Sequence, residues 1–135
     1  MNIKELTEIL LFWISINTNY DTTKFNYKIN EVSKEQLQNI ACKGRCPILA
    51  IFLPDKGIYY AKIDLKNACS QSVILHEMIH GFQEIFDRRK EDIFREKEAY
   101  ELQNRFLKDY SNQNELIYDL SVKKCRSLQT RIWKY

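Results

Sequence analysis

Two histidines one helical turn apart, His76 and His80, enclose a glutamate in the sequence His76-Glu77-Met78-Ile79-His80. In an α-helix, a residue four positions on is rotated by only about 40° and raised by about 6 Å, so both imidazoles can reach one ion. Glu77 would lie beside that ion, where a carboxylate can hold a water molecule and accept its proton. The HExxH pattern therefore predicts a zinc site with the chemistry of a metallopeptidase.

The residues around this motif predict a buried helix. His76 and His80 are the only histidines of the chain, and apolar residues surround them on nearly every helical face. These residues are Val73, Ile74, Leu75, Met78, Ile79, Phe82, Ile85 and Phe86. Buried imidazoles need partners, and a metal ion satisfies two at once, whereas a packed core would have to supply separate hydrogen bonds. The setting favours a metal site over two solvated surface histidines.

A catalytic zinc site takes three protein ligands and a water, and the chain has no third histidine. The segment 91–107 lacks Gly and Pro and is rich in helix formers, so it predicts a second helix. Its glutamates are Glu91, Glu96, Glu98 and Glu101. Because a ligand must face the first helix, we expect apolar neighbours four positions away on either side. Only Glu98, between Phe94 and Leu102, has them, so Glu98 is the predicted third ligand.

With these residues, the chain resembles the glutamate-ligand zincin metallopeptidases. In those proteins HExxH on one helix is completed by a glutamate, often followed by alanine, on the next helix, as in Glu98-Ala99 here. They usually place an acidic residue four positions after that glutamate, where this chain has Leu102. The residue that would support the histidines from that position is therefore missing.

More narrowly, the chain resembles a family of small, uncharacterised bacterial zincin-like domains over residues of about 10 to 107. The matching segments are Leu10-Leu11-Phe12-Trp13-Ile14, Cys42-Lys43-Gly44-Arg45-Cys46, His76 to Gln83 and Ala99-Tyr100-Glu101-Leu102-Gln103. The resemblance implies a peptidase-like fold and leaves the substrate open.

The length of 135 residues, with 44% hydrophobic and 29% charged residues, predicts one domain over 1–135 that buries a core without needing metal or disulfides. The predicted class is α+β, a compact and mostly helical minimal zincin with a small antiparallel β-hairpin beside the HExxH helix. The hairpin is predicted from strand-like runs at 47–53 and 58–65, with a Pro-Asp-Lys-Gly turn between them. The resemblance implies that one strand borders the cleft and pairs with an extended peptide. An edge strand without a ligand is the alternative.

Capping residues predict where the helices begin. Capping-box pairs predict helices over 2–16 and 33–41, and Ser70 and Ser72 are candidate N-caps of the HExxH helix. A last helix is predicted within 116–128.

Charge and hydropathy restrict the partners. A net charge of +3, from 21 basic and 18 acidic residues, indicates no nucleic-acid-binding surface. The longest apolar run, Ile9 to Ile16, is too short to cross a bilayer. Glu5 and Glu8 precede this run and no cleavage site follows it, so it does not read as a signal peptide. These features favour a cytoplasmic protein without a membrane span, whose partner is a peptide or protein substrate. The oligomeric state stays open.

Four cysteines leave an exported or periplasmic location open: Cys42, Cys46, Cys69 and Cys125. Two disulfides, a structural zinc on Cys42 and Cys46, and free buried cysteines are the three alternatives.

The predicted activity is a zinc-dependent peptidase. Zn²⁺ is held by His76, His80 and Glu98, and Glu77 activates water to attack a peptide carbonyl. Candidates for stabilising the oxyanion are Tyr59, Tyr60, Tyr118 and Arg126. Tyr100, two positions after the predicted ligand, is expected to point elsewhere. The alternatives are a catalytically silent zincin-fold binding or regulatory module, and an effector or toxin protease with one protein substrate.

Overall fold

The computed structural model of the chain describes residues 1–42 and 48–132, with side chains as far as Leu128. The helices are α1 (Ile3–Asn17), α2 (Lys34–Cys42), α3 (Ala68–Phe86), α4 (Asp92–Gln113) and α5 (Val122–Ile132), and the strands are β1 (Ile29–Val32), β2 (Ala50–Leu53) and β3 (Gly57–Ala61). A 3₁₀ turn at Thr22–Lys24 lies between α1 and β1. The predicted α+β class is confirmed. Within the described ranges, no helix combines the length and apolar character needed to cross a bilayer.

Helices α1 and α2 begin at the predicted capping residues, Asn2 and Ser33. The prediction for α3 is wrong, because its N-cap is Asn67 and not Ser70 or Ser72. The Asn67 side chain accepts hydrogen bonds from the backbone N–H groups two and three residues on. The helix thus starts one turn earlier than either serine would allow, and Ser72 lies inside it.

The sheet has the order β1-β3-β2. Strands β2 and β3 form the predicted antiparallel hairpin, with Phe52 opposite Ile58. The sheet as a whole is mixed, since β1 pairs in parallel with β3 through a crossover that contains α2. At the start of β3, Gly57 has a φ of +106°, and a Cβ there would lie 2.6 Å from the Lys28 carbonyl oxygen. Only glycine fits this approach of β3 to the chain before β1.

Helix α3 is the centre of the core, with α4 and β2 packed against it. Its side chains Ile74, Leu75, Met78, Ile79 and Phe82 are fully buried. Helix α1 is attached to α4 through Trp13, whose ring contacts Phe106 edge-on at 5.6 Å and whose Nε1 donates to Asp109 at 3.0 Å. The Tyr20 ring stacks on Phe82 at 5.3 Å. The HExxH helix is therefore held by aromatic and aliphatic contacts on several sides.

A disulfide between Cys69 and Cys125 joins the first turn of α3 to α5 across 56 residues of sequence. For this pair, the free-cysteine alternative is wrong. The alternatives for Cys42 and Cys46 all involve Cys46, which lies outside the described residues.

Removing this disulfide in a Cys69→Ala/Cys125→Ala variant is expected to lower the free energy of unfolding by about 4 kcal/mol, because a closed loop of that length restricts the unfolded chain. Urea denaturation without reductant measures the difference. Reductant should then destabilise the wild type far more than the variant. Equal unfolding midpoints for the two oxidised proteins would contradict the expectation.

Candidate metal centre

The two motif histidines converge on one point from α3. Their Nε2 atoms lie 3.1 Å apart, and their ring planes are inclined by 79°. An oxygen of Glu96, on α4, completes the group: it lies 3.3 Å from His76 Nε2 and in direct contact with His80 Nε2. Two ligand atoms bound to tetrahedral zinc at 2.0–2.1 Å lie about 3.3 Å apart. The His76–His80 and His76–Glu96 separations are close to this spacing, and the Glu96–His80 contact is closer.

Glu98, the predicted third ligand, does not belong to this group, in which the carboxylate is that of Glu96. The structure thus differs from the prediction. The Glu98 carboxylate accepts hydrogen bonds from the Tyr20 hydroxyl, from Gln83 Nε2 at 3.0 Å and from Lys90 Nζ at 3.4 Å. Burial alone would raise the pKa of Glu98, but these three donors hold it below its usual value. Its contacts are those of a carboxylate that ties α4 to the end of α3.

Helical geometry explains the error. Each residue turns the helix by about 100°, so Glu96 and Glu98 lie about 160° apart around α4. The buried residue Ala99 marks the direction of the core, and the two glutamates lie on opposite flanks of it. The apolar stripe used for the prediction included Phe94, which is 53% exposed. An apolar neighbour therefore does not indicate which side of α4 faces the candidate metal site.

A different stripe faces the histidines. Glu96, Tyr100 and Gln103 follow one another at the i, i+4, i+7 spacing of one helix face. The Tyr100 ring lies 4.5 Å from the His76 ring, centre to centre. The expectation that Tyr100 points elsewhere is wrong, because it assumed that Glu98 is the residue that faces the histidines. This polar stripe is the sequence signal that could have identified Glu96.

Two glutamines orient the imidazoles. His76 Nδ1 lies 2.9 Å from Gln103 Oε1, and His80 Nδ1 lies 2.8 Å from Gln83 Oε1. An amide oxygen only accepts, so each Nδ1 donates to it, and in the neutral imidazole Nε2 then presents a lone pair. The amides are fixed in turn, since Gln103 Nε2 donates to Ser72 Oγ at 3.1 Å and Gln83 Nε2 donates to a backbone carbonyl of α4 at 2.9 Å. In the sequence, both glutamines belong to the segments that carry the resemblance, and nothing in the sequence itself indicates their role.

Substituting Gln103 by methionine is expected to weaken zinc binding about 10- to 100-fold, because His76 loses the acceptor that sets its tautomer and ring orientation. Competition with a chromophoric chelator measures the affinity. Gln71→Met is the matched control, since Gln71 is equally buried but bonds the Leu65 carbonyl at 2.9 Å. Equal zinc affinities for the two variants would contradict the assigned role.

Glu77 lies between the histidines and the sheet. Its Oε1 accepts a hydrogen bond of 3.0 Å from the Phe52 backbone N–H of β2, and its Oε2 lies 3.9 Å from His76 Nε2. Burial raises the pKa of Glu77 to about 8, although the Phe52 N–H opposes the shift. Burial and the neighbouring His80 lower the pKa of His76, which keeps that imidazole neutral at pH 7. A carboxyl that titrates close to neutrality is suited to accept and return a proton.

The raised pKa of Glu77 predicts a pH-dependent effect of Glu77→Gln on the metal-free protein. An unfolded glutamate titrates near 4.3, so between about pH 4 and pH 8 the folded state binds more protons than the unfolded state. The wild type therefore loses stability as pH rises through this window. Glutamine keeps the acceptor for the Phe52 N–H and does not titrate, so the variant should be more stable at pH 8 by a few kcal/mol.

Urea denaturation in chelator at several pH values tests this expectation. The stability difference between the two proteins should grow from pH 4 to pH 8. A difference that is the same at every pH would contradict it.

A cavity of about 320 Å³ opens onto these groups. Its described lining residues are Ile48, Leu49, Ala50, Val73, His76, Glu77, His80, Glu96, Tyr100, Gln103, Val122, Cys125 and Arg126. Of the predicted oxyanion-stabilising residues, Arg126 lies on this wall. Tyr59, Tyr60 and Tyr118 are not among the lining residues in the described part of the chain.

Comparison of the chain with models of protein families, with curated proteins and with solved structures gave no significant match. The geometry of the site is therefore the basis on which its function is inferred.

Proposed function

We propose that the protein is a zinc-dependent peptidase, with His76, His80 and Glu96 as zinc ligands and Glu77 as general base. One observation carries the proposal: the His76 and His80 Nε2 atoms lie 3.1 Å apart, and one Glu96 carboxylate oxygen lies 3.3 Å from the first and in contact with the second. With both imidazoles neutral, these three acceptor atoms cannot hydrogen-bond one another, and a bound cation would offset their mutual repulsion. Nitrogen and oxygen ligands at this spacing suit Zn²⁺, with a fourth position left for water.

Zinc, when bound, supplies Lewis-acid activation of water and of a peptide carbonyl. Glu77 accepts the proton of the attacking water as the new C–O bond forms, and returns it to the amine nitrogen as the C–N bond breaks. The hydrogen bond from the Phe52 N–H to Oε1 keeps the carboxylate directed from β2 toward the histidines. Gln83 and Gln103 keep the imidazoles in the ligating tautomer.

Strand β2 supports an extended peptide as the substrate. It lies at the end of the strand order and pairs only with β3 in the described sheet. The Leu49 carbonyl accepts a hydrogen bond from the Ala61 N–H. In an antiparallel pair, every second residue of a strand bonds the same neighbouring strand. The backbone groups of Ala50 and Phe52 therefore point away from β3. Ala50 also lines the cavity. An extended peptide could pair with this edge and carry its carbonyl into the site.

Metal analysis together with a cleavage assay tests the proposed function. We expect one zinc per chain, cleavage products from a peptide library by mass spectrometry, loss of cleavage in chelator and its recovery on adding zinc. The proposal would be overturned if the protein held no metal either as purified or after zinc had been added to it. A full complement of zinc without cleavage of any peptide or protein offered would favour the catalytically silent module.

A further inference from the structure

Helix α5 contributes a cation to the wall of the candidate site. Among the described residues that line the cavity, the acidic and basic side chains other than the two histidines are those of Glu77, Glu96 and Arg126. Glu96 is committed to the proposed metal and Glu77 to proton transfer. Within the described lining, Arg126 is therefore the positively charged side chain left to contact a substrate.

The guanidinium of Arg126 is held by an aromatic ring and not by a carboxylate. Its Nη2 donates to the Tyr100 hydroxyl at 2.9 Å, and its Cζ lies 5.3 Å from the centre of the Tyr100 ring. None of the ion pairs found between described residues includes Arg126. Because arginine has five N–H donors, the contact with Tyr100 orients the group and leaves donors for an anion.

The backbone that carries Arg126 is attached to both helices of the candidate site. Its neighbour Cys125 is bonded to Cys69 in the first turn of α3. The Val122 N–H donates to Asn104 Oδ1 of α4 at 2.8 Å. The side chain thus projects from an anchored helix, which reduces the entropy lost when a ligand binds.

The position of Arg126 limits where its ligand lies on a substrate. The guanidinium carbon lies 5.3 Å from the centre of the Tyr100 ring, and the centre of that ring lies 4.5 Å from the centre of the His76 ring. An extended peptide covers about 3.3–3.6 Å per residue. A group bound by Arg126 therefore belongs to a residue within about three positions of the bond that faces the histidines. The planar guanidinium matches a carboxylate, which it can bind through two parallel hydrogen bonds.

We propose that Arg126 binds a substrate carboxylate, so that the site selects peptides with an acidic side chain or a free C-terminal carboxylate within about three residues of the scissile bond. This inference rests on the proposed peptidase function, which it deepens by naming the substrate class.

Binding to zinc-loaded Glu77→Gln protein, in which turnover is blocked, tests the inference directly. The probes are fluorescent hexapeptides with glutamate or glutamine at each position in turn, and with a free or an amidated C terminus. We expect at least one carboxylate peptide to bind tenfold or more tightly than its neutral counterpart. Adding Arg126→Met should bring this ratio close to one. The glutamate and C-terminal series identify which carboxylate is recognised.

Lys124→Met is the matched control. Lys124 is on the same helix and carries the same charge, but its Nζ lies 4.8 Å from the Tyr118 ring and the residue does not line the cavity. This variant should keep the carboxylate preference. Arg126 is exposed, and equal thermal unfolding temperatures for the two variants would show that both fold. A preference that survives Arg126→Met, or that is lost equally in Lys124→Met, would overturn the inference.

The two proposals fail in different ways. If the carboxylate preference in binding does not depend on Arg126, the carboxylate site is overturned whether or not the wild type cleaves peptides. Arg126-dependent binding without cleavage of those same peptides by the zinc-loaded wild type counts against the peptidase and supports the carboxylate site.

Discussion

Replacing Glu77 by glutamine is expected to reduce peptide hydrolysis about 10²- to 10⁴-fold while zinc remains bound. Glutamine preserves the shape of the side chain and its acceptor for the Phe52 N–H, but it cannot take a proton from water. The proposed metal ligands are untouched, since Glu77 is not in the group formed by His76, His80 and Glu96. Initial rates of peptide cleavage and elemental analysis of the same preparation measure the two properties together.

The matched control for this prediction is Glu84→Gln. Glu84 is on the same helix but pairs with Arg88 and Arg95, outside the cavity. We expect its cleavage rate to stay within a fewfold of the wild type, because Glu84 is neither a lining residue of the cavity nor part of the His76, His80 and Glu96 group. Hydrolysis by zinc-loaded Glu77→Gln at the wild-type rate would exclude Glu77 as the base.

The second large effect distinguishes the two glutamates of α4. Glu96→Gln is expected to weaken zinc binding by more than the 10- to 100-fold typical of residues that only support a ligand, because a neutral amide replaces an anionic ligand. Glu98→Gln should change zinc affinity far less. Its main effect should be on stability, because Tyr20, Gln83 and Lys90 then bond a neutral group.

Chelator competition measures zinc affinity for both variants, and urea denaturation measures stability. The two substitutions are chemically identical and two residues apart, so each serves as the control for the other. Zinc loss in Glu98→Gln with retention in Glu96→Gln would favour Glu98 as the ligand instead.

Features that depend on neighbouring residues could be predicted from the sequence. The HExxH spacing places His76 and His80 on one face of one helix, and the structure has their Nε2 atoms 3.1 Å apart. The capping residues Asn2 and Ser33 and the antiparallel hairpin were predicted for the same reason. Each of these features needs only the local geometry of a helix turn or a β-turn.

The sequence by itself therefore determined that two imidazoles and a carboxylate share one buried helix in an α+β domain. Tertiary structure alone decided that Glu96 and not Glu98 approaches them, that Gln103 of α4 bonds the His76 imidazole, and that a disulfide brings Arg126 to the cavity. The physical reason is rotation: one residue of shift turns a helical side chain by about 100°, and only packing against α3 selects the orientation of α4.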